Sequence, residues 1–222
     1  MWDHQSGNCF VTLTYDDEHI PHNWTLNKRD FQLFMKRLRK TYSHKTIRYF
    51  HVGEYGDRCP HTTYGEEPLC GGCNVGRPHY HAILFNHDFR DRELFGERNG
   101  VPHYTSAELT EIWGNGFTQV GDVTPESAGY VARYALKKVT GAQSEEYYVR
   151  MDMTTGEIGY VHPEYATMSR RPGIGKAWFD KYGADVYPSD ETPVVGKGVQ
   201  KGAPRYYDEI IKETNPELHE IE

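Results

Sequence analysis

Arg77-Pro78-His79-Tyr80-His81-Ala82-Ile83-Leu84-Phe85 is aromatic and branched without a break from Tyr80 onward, and it reads as a buried β-strand. On a strand, residues i and i+2 face the same way with Cα atoms about 6.5–7 Å apart. His79 and His81 can therefore aim both imidazoles at one divalent cation, while Tyr80 points to the opposite face. A lone histidine is more often a satisfied polar residue than a ligand, so the pair acquires meaning only from what accompanies it elsewhere in the chain.

Working outward, the neighbouring strand is Ile47 to Tyr55, and it carries two further candidates. Glu54 and His51 face opposite ways on it, so only one can join the histidines. Glu54 is preferred, because a carboxylate with two imidazoles suits Mg²⁺ or Mn²⁺ that must also accept a phosphate oxygen. His51 is the fallback, and Asp16 and Asp17 are more distant candidates. The connection from 56 to 77 is 22 residues long and holds Cys59, His61, Cys70 and Cys73. Cys-x-x-Cys with Gly-rich turns is a zinc half-site that Cys59 and His61 would complete as a structural Zn²⁺ clip; idle or redox-active thiols are the alternative.

The chain has 222 residues, four cysteines and a formal net charge of −7. Its mean hydropathy of −0.78 leaves no apolar run near the ~18 residues a membrane span needs. Met1 to Ser6 is polar and leads into no apolar signal-peptide core. Three cysteines clustered between 59 and 73 fit a reducing compartment better than a disulfide framework. The acidic total argues against a nucleic-acid partner, yet local basic faces exist. Between Lys28 and Arg48 there are eight Lys or Arg against one acid, Asp30, and Lys36, Arg37, Arg39 and Lys40 share one stretch of a helix. Such a run is commonly a solvated face; here it is also a candidate phosphate-contacting surface.

Cys9 to Tyr15 alternates as a first strand, and Asn27 caps a helix to about Tyr42 with Phe31, Phe34, Met35 and Leu38 on one face. After Phe85 the pattern predicts a loop, a helix from about Thr105 to Trp113 stopped by Gly114, and a strand Phe117–Val123. Thr124-Pro125-Glu126 then opens a helix: cap, proline at the first position, acid in the first turn. The order β-α-β-β-α-β is that of the split βαβ, ferredoxin-like (RRM-like) fold, so the expected class is α+β with a central antiparallel sheet and flanking helices. A domain over 1–141 is expected, with 142–222 an extension made of a hairpin, a short helix near Lys176–Tyr182 and a polar tail.

Tyr130 and Tyr134 sit at i and i+4, one helical turn apart, with Arg133, Lys137 and Lys138 close by. A phenol is a weak nucleophile at neutral pH, since its ordinary pKa is ~10, and nearby cations would help it react. Packing of the helix on the sheet is the plainer reading of the same spacing.

Phe10-Val11-Thr12-Leu13-Thr14-Tyr15, Gly53-Glu54-Tyr55-Gly56, Arg77-Pro78-His79-Tyr80-His81 and Tyr130-Val131-Ala132-Arg133-Tyr134 with Lys137 together resemble the HUH endonuclease superfamily. More narrowly, the chain is similar to rolling-circle replication initiators of gokushovirus-type, single-stranded-DNA bacteriophages, and the likeness extends through Met168–Gly175 and Asp185–Asp190. Family members usually carry a further helical, cysteine-bearing segment before the first strand, so the resemblance implies a shortened or variant form, and the Cys-bearing loop is longer than the turn typical there. The resemblance implies that His79, His81 and Glu54 bind the metal, that one tyrosine attacks to leave a 5′-phosphotyrosine and a free 3′-OH, that the second serves the closing cut, and that Lys137 stabilises the phosphate or the leaving oxygen. It implies single-stranded DNA at a phage origin hairpin or loop as substrate, host helicase and polymerase as partners, and the host bacterial cytoplasm as the compartment. No Gly-x-x-x-x-Gly-Lys-Ser/Thr occurs, so unwinding falls to a partner. Arg133, Lys138, Arg170 and Arg171 join the basic helix as candidate DNA contacts, with aromatic stacking on the sheet face. Rival readings are a His-x-His oxygenase of iron or cupin type, a non-catalytic single-stranded DNA- or RNA-binding module, and an HUH relaxase or transposase.

Overall fold

The computed structural model describes residues 7–56, 76–98, 100–134, 138–151, 156–187, 189–194 and 198–219. Its elements in chain order begin with β1 (Asn8–Tyr15), α1 (Lys28–Thr41), β2 (Arg48–Tyr55), β3 (Pro78–Phe85), β4 (Glu93–Arg98) and β5 (Val101–Thr105). They continue with α2 (Ala107–Trp113), β6 (Gly116–Asp122), α3 (Pro125–Tyr134), α4 (Gln143–Tyr147), β7 (Val149–Met151), β8 (Ile158–Tyr160) and β9 (Tyr165–Met168). The last are α5 (Lys176–Val186), β10 (Glu191–Val194), β11 (Gly198–Lys201), α6 (Arg205–Thr214) and α7 (Pro216–His219).

Strand alternation decides the layers. In β1 every second residue is buried, and Cys9, Val11, Leu13 and Tyr15 meet Phe31, Phe34, Met35 and Leu38 of α1 and Leu109, Ile112 and Trp113 of α2. Tyr80, Ala82 and Leu84 of β3 join that core. The other face receives α3, whose Val131 packs with Val52, Ile83 and Phe10. Neighbours in the sheet run β4-β5-β6-β1-β3-β2-β9, and the pairs β1–β3, β2–β3 and β1–β6 are antiparallel. Within it, β6-β1-β3-β2 is the fourth-first-third-second order of a ferredoxin-like sheet, with β3 inserted between the two strands that α1 connects. The expected α+β class is what the chain adopts.

The helix ends follow from local chemistry. Asn27 accepts a hydrogen bond from Arg29 N (3.0 Å), and Ser106 accepts one from Leu109 N (3.0 Å). Gly114 ends α2 in the left-handed region, at φ 67°. Thr124 and Ser127 cap α3 reciprocally: Ser127 N donates to Thr124 Oγ1 (3.1 Å) and Thr124 N donates to Ser127 Oγ (2.8 Å).

Three expectations need correction. The segment between Phe85 and α2 is not a plain loop, because β4 and β5 form a hairpin that carries the sheet outward, and α2 starts two residues later than Thr105. Leu94, Phe95 and Val101 are exposed on it, as an edge hairpin allows, and Gly96 and Pro102 disguise the strand pattern. Residues after 141 are not all extension: β9 pairs onto β2, and the chain divides into compact units between Thr167 and Met168. The tail is not merely polar either. In the second unit α6 buries Tyr207, Ile210 and Ile211 at i, i+3 and i+4 against Phe179 and Val186 of α5, with Trp178 stacked on Tyr207 at 5.8 Å. Three apolar residues among charged ones are a weak signal to read. The hairpin expected around a Thr-Thr-Gly turn is present as β7 paired with β8.

His87 sits fully buried in a bridge to Asn8, its ring against Tyr42 (4.4 Å) and Phe89 (4.6 Å). Burial, helped by the Lys45 charge, holds its pKa down to about 3. The unfolded chain takes up this proton near pH 6.5 and the native one does not until about 3, so the neutral ring stabilises the fold fully above 6.5 and loses that contribution as pH falls. Denaturant unfolding at pH 7 and pH 5 checks this: the wild type is expected to lose roughly 2 kcal/mol more than His87→Leu over that interval. Equal losses in both proteins would refute it.

Candidate active site

Register places the central residues. Glu54 of β2 lies directly opposite His79 of β3, and His81 is opposite Val52 on one side and Thr12 of β1 on the other. Period-two alternation turns His79 and His81 away from the α1 face that takes Tyr80. Glu54 Oε1 lies 2.7 Å from His79 Nε2 and 3.0 Å from His81 Nε2. The ligand atoms of all three fall within 4.8 Å of one another, and the group could hold a metal ion. Beside Glu54, Gly53 faces the other way, where a Cβ would come within 2.8 Å of the Tyr165 ring, so β2 and β9 approach closely only with glycine there.

The donor set fits a divalent cation. His79 Nδ1 lies 3.1 Å from the Arg77 carbonyl oxygen and His81 Nδ1 lies 2.9 Å from Thr12 Oγ1. Partners on Nδ1 orient each ring with Nε2 toward the shared point, the arrangement that precedes metal ligation by imidazole. Burial pushes the Glu54 carboxyl up, but hydrogen bonds from His79 and His81, with their charge, outweigh it and hold the group at about 2. A carboxylate kept ionised next to two imidazoles offers oxygen and nitrogen ligands together, as Mg²⁺, Mn²⁺ or other first-row ions accept.

The tyrosine helix lies on the same face. The Tyr130 ring meets the His81 ring edge-on at 5.5 Å and the Phe10 ring at 6.4 Å, while Phe10 stacks on His81 at 5.5 Å. Tyr130 is 39% exposed. Tyr134 ends α3 one turn further on, and Arg133 is exposed beside it in sequence. Lys137 lies outside the described residues, as do Cys59, His61, Cys70 and Cys73; Lys138 follows α3 and is exposed.

His51 belongs to the opposite face, as alternation predicts. It stacks on Phe31, its Nδ1 lies 2.8 Å from Thr167 Oγ1, and burial holds it well below the ordinary histidine range. It does not join the metal group. Nor do Asp16, which accepts hydrogen bonds from the backbone of Glu18 and His19, or Asp17, which pairs with Arg77 at 2.5 Å. The basic run of α1 is also set apart. Arg37 donates to the carbonyls of Ile112 and Trp113, tying down the end of α2, and Arg39 donates to that of Ile47. These residues, with the exposed Lys36 and Lys40, lie on the helix that covers the face away from Glu54. Arg170 and Arg171 are exposed in the second unit, in the loop before α5.

Two residues near the site escaped sequence reasoning. Thr12 orients His81, and the alternation of β1 was the available signal. Arg77 hydrogen-bonds the Tyr15 carbonyl (3.1 Å) and lies 5.1 Å over the Trp24 ring, contacts that only the folded chain creates.

A sheet of this strand order, with two histidines and a carboxylate brought to one face beside a tyrosine-bearing helix, is of the HUH type. The chain belongs to the replication-associated protein ORF2 family, whose model matches residues 8–62 and 70–139, more than half of the chain. Among its relatives, the replication-associated protein VP4 of Bdellovibrio phage phiMH2K is 33% identical over 225 residues, covering 98% of this chain and 61% of the relative. The replication-associated protein ORF2 of Spiroplasma virus 4 is 31% identical over 212 residues, covering 90% of this chain and 57% of the relative. The replication-associated protein ORF4 of Chlamydia phage 1 is 27% identical over 223 residues, covering 97% of this chain and 48% of the relative. The chain thus spans about half to three-fifths of the length of these relatives. No solved structure gives a significant match. Among the described residues, no helix is long and apolar enough to cross a membrane.

Proposed function

We propose that this chain initiates rolling-circle replication of a phage genome by nicking and rejoining single-stranded DNA at the origin. The observation that carries the reading is the convergence of Glu54 Oε1 with the Nε2 atoms of His79 and His81 within 4.8 Å, on the sheet face that α3 covers. The family and the replication-associated names of its relatives support it.

Glu54, His79 and His81 would hold Mg²⁺ or Mn²⁺, which when bound supplies Lewis acidity to the scissile phosphodiester. The phenol oxygen of Tyr130 or Tyr134 attacks phosphorus, forming a tyrosyl-phosphate bond and breaking the bond to the 3′ oxygen. That oxygen leaves as a 3′-OH after gaining a proton, and the 5′ end stays on the protein. A free 3′-OH can reverse the exchange on the tyrosyl phosphate, so two tyrosines one turn apart allow a second cut before the first is resolved. Lys137 would neutralise charge on the phosphate or the leaving oxygen. The setting would be the host bacterial cytoplasm, with a host helicase and polymerase acting on the exposed 3′-OH.

Metal removal tests the reading. Protein mixed with phage single-stranded DNA, or with a random single-stranded pool, is run on a denaturing gel after incubation with Mn²⁺ or EDTA. A band that survives denaturant in Mn²⁺ and is absent in EDTA is expected. Absence of an adduct on origin DNA, with binding intact, would favour a non-catalytic single-strand-binding module.

A further inference from the structure

The cross-strand row that holds the metal residues does not stop at them. Glu54 is opposite His79, His79 is opposite Thr14 of β1, and Thr14 is opposite Phe117 of β6. Directly paired residues project from the same face, so Phe117 stands two strands, roughly 10 Å, from His79 on the site's own surface. Phe117 is 69% exposed. Phe95, on the β4–β5 hairpin, is 69% exposed as well. Both line one groove of about 600 Å³, together with Thr14, Gln119 and Arg77.

A single exposed aromatic needs no explanation, but two on one groove continuous with a phosphate-directed site do. We infer that Phe117 and Phe95 form a base-stacking subsite for a nucleotide flanking the scissile phosphate, with Arg77 at its edge. This rests on the proposal that the chain acts on single-stranded DNA. The spacing fits: about 10 Å separates the metal-ligand row from the Phe117 ring, the reach from a backbone phosphate to a neighbouring base in an extended strand. The chemistry fits too, since every base offers a π-face and the rings face solvent beside uncharged Thr14 and Gln119. Arg77 brings a guanidinium whose Nη1 and Nη2 are fixed by the Tyr15 carbonyl and Asp17, so it is held in place before DNA arrives. The subsite sets which phosphate is presented to the tyrosines, so it positions the cut without touching the reacting atoms.

The test measures binding alone, in EDTA, by fluorescence anisotropy on an oligo(dT) strand and on an abasic strand of equal length and charge. Wild type is expected to prefer oligo(dT) by about tenfold, the value of stacking one base. Phe117→Ala is expected to remove that preference while leaving affinity for the abasic strand unchanged; Phe117→Trp restores it, and Phe95→Ala weakens it. Thermal unfolding of each variant checks the fold, which an exposed ring leaves largely untouched. Equal affinities of wild type and Phe117→Ala for oligo(dT), as when the aromatics serve a protein partner, would overturn the inference. Equal losses on both strands would overturn it too. Wild type that binds neither strand sinks the DNA reading itself, whereas binding without a metal-dependent adduct sinks only the nicking chemistry.

Discussion

The Tyr130→Phe/Tyr134→Phe double variant is expected to form no covalent adduct with single-stranded DNA while still binding it. Both phenol oxygens are gone, so the loss should approach the ~10⁶-fold seen when a nucleophile is deleted from an enzyme that uses one. The substitutions remove only hydroxyls, and at Tyr130, which is 39% exposed, the ring that packs on the sheet is retained. The single variants should separate steps. One retains initial nicking and loses the later strand exchange, and the other shows the reverse, because each oxygen serves a different cut. Denaturing gels with a suicide substrate, scored for adduct and for joined product, make the comparison. A double variant with near-wild-type adduct would remove these tyrosines from the mechanism.

Substitution at the metal group has the second largest expected effect. His81→Ala and Glu54→Ala each take one of three converging ligands, and losing the associated charge stabilisation should lower nicking by about 10²–10³-fold. Calorimetry with Mn²⁺ should show the site lost or greatly weakened. Thr12→Val is a finer probe. It keeps every ligand and removes the oxygen 2.9 Å from His81 Nδ1, so Mn²⁺ affinity should fall about 10–100-fold. Unchanged Mn²⁺ affinity in His81→Ala would show that the cation, if any, binds elsewhere. His51→Ala should leave Mn²⁺ affinity unaltered, since His51 belongs to the opposite face, stacked on Phe31.

Much of this is legible in the sequence. The alternation of β1, the unbroken apolar run of β3 and the capped helix after Asn27 are local patterns, and each of these elements is present within a residue or two of its expected bounds. The facing of His79, His81 and Glu54 follows from the two-residue period of a strand, and the exclusion of His51 follows from the same rule. Less legible were β4, β5 and α6. Edge strands bury only part of one face, and α6 packs on three apolar residues, so the hydrophobic signal that marks an element is diluted in both.

The sequence by itself determined the order of the central strands and helices, the α+β class and which side chains share a face, because backbone periodicity and capping act over a few residues. Tertiary structure decided the rest. The pairing of Glu54 with His79, the contact of Thr12 with His81 across 69 positions, the use of Arg37 to hold the end of α2 and the alignment of Phe117 with the metal row all depend on register between strands distant in the chain. Register is set by simultaneous burial of both sheet faces, a condition that many residues satisfy together and no short segment carries alone.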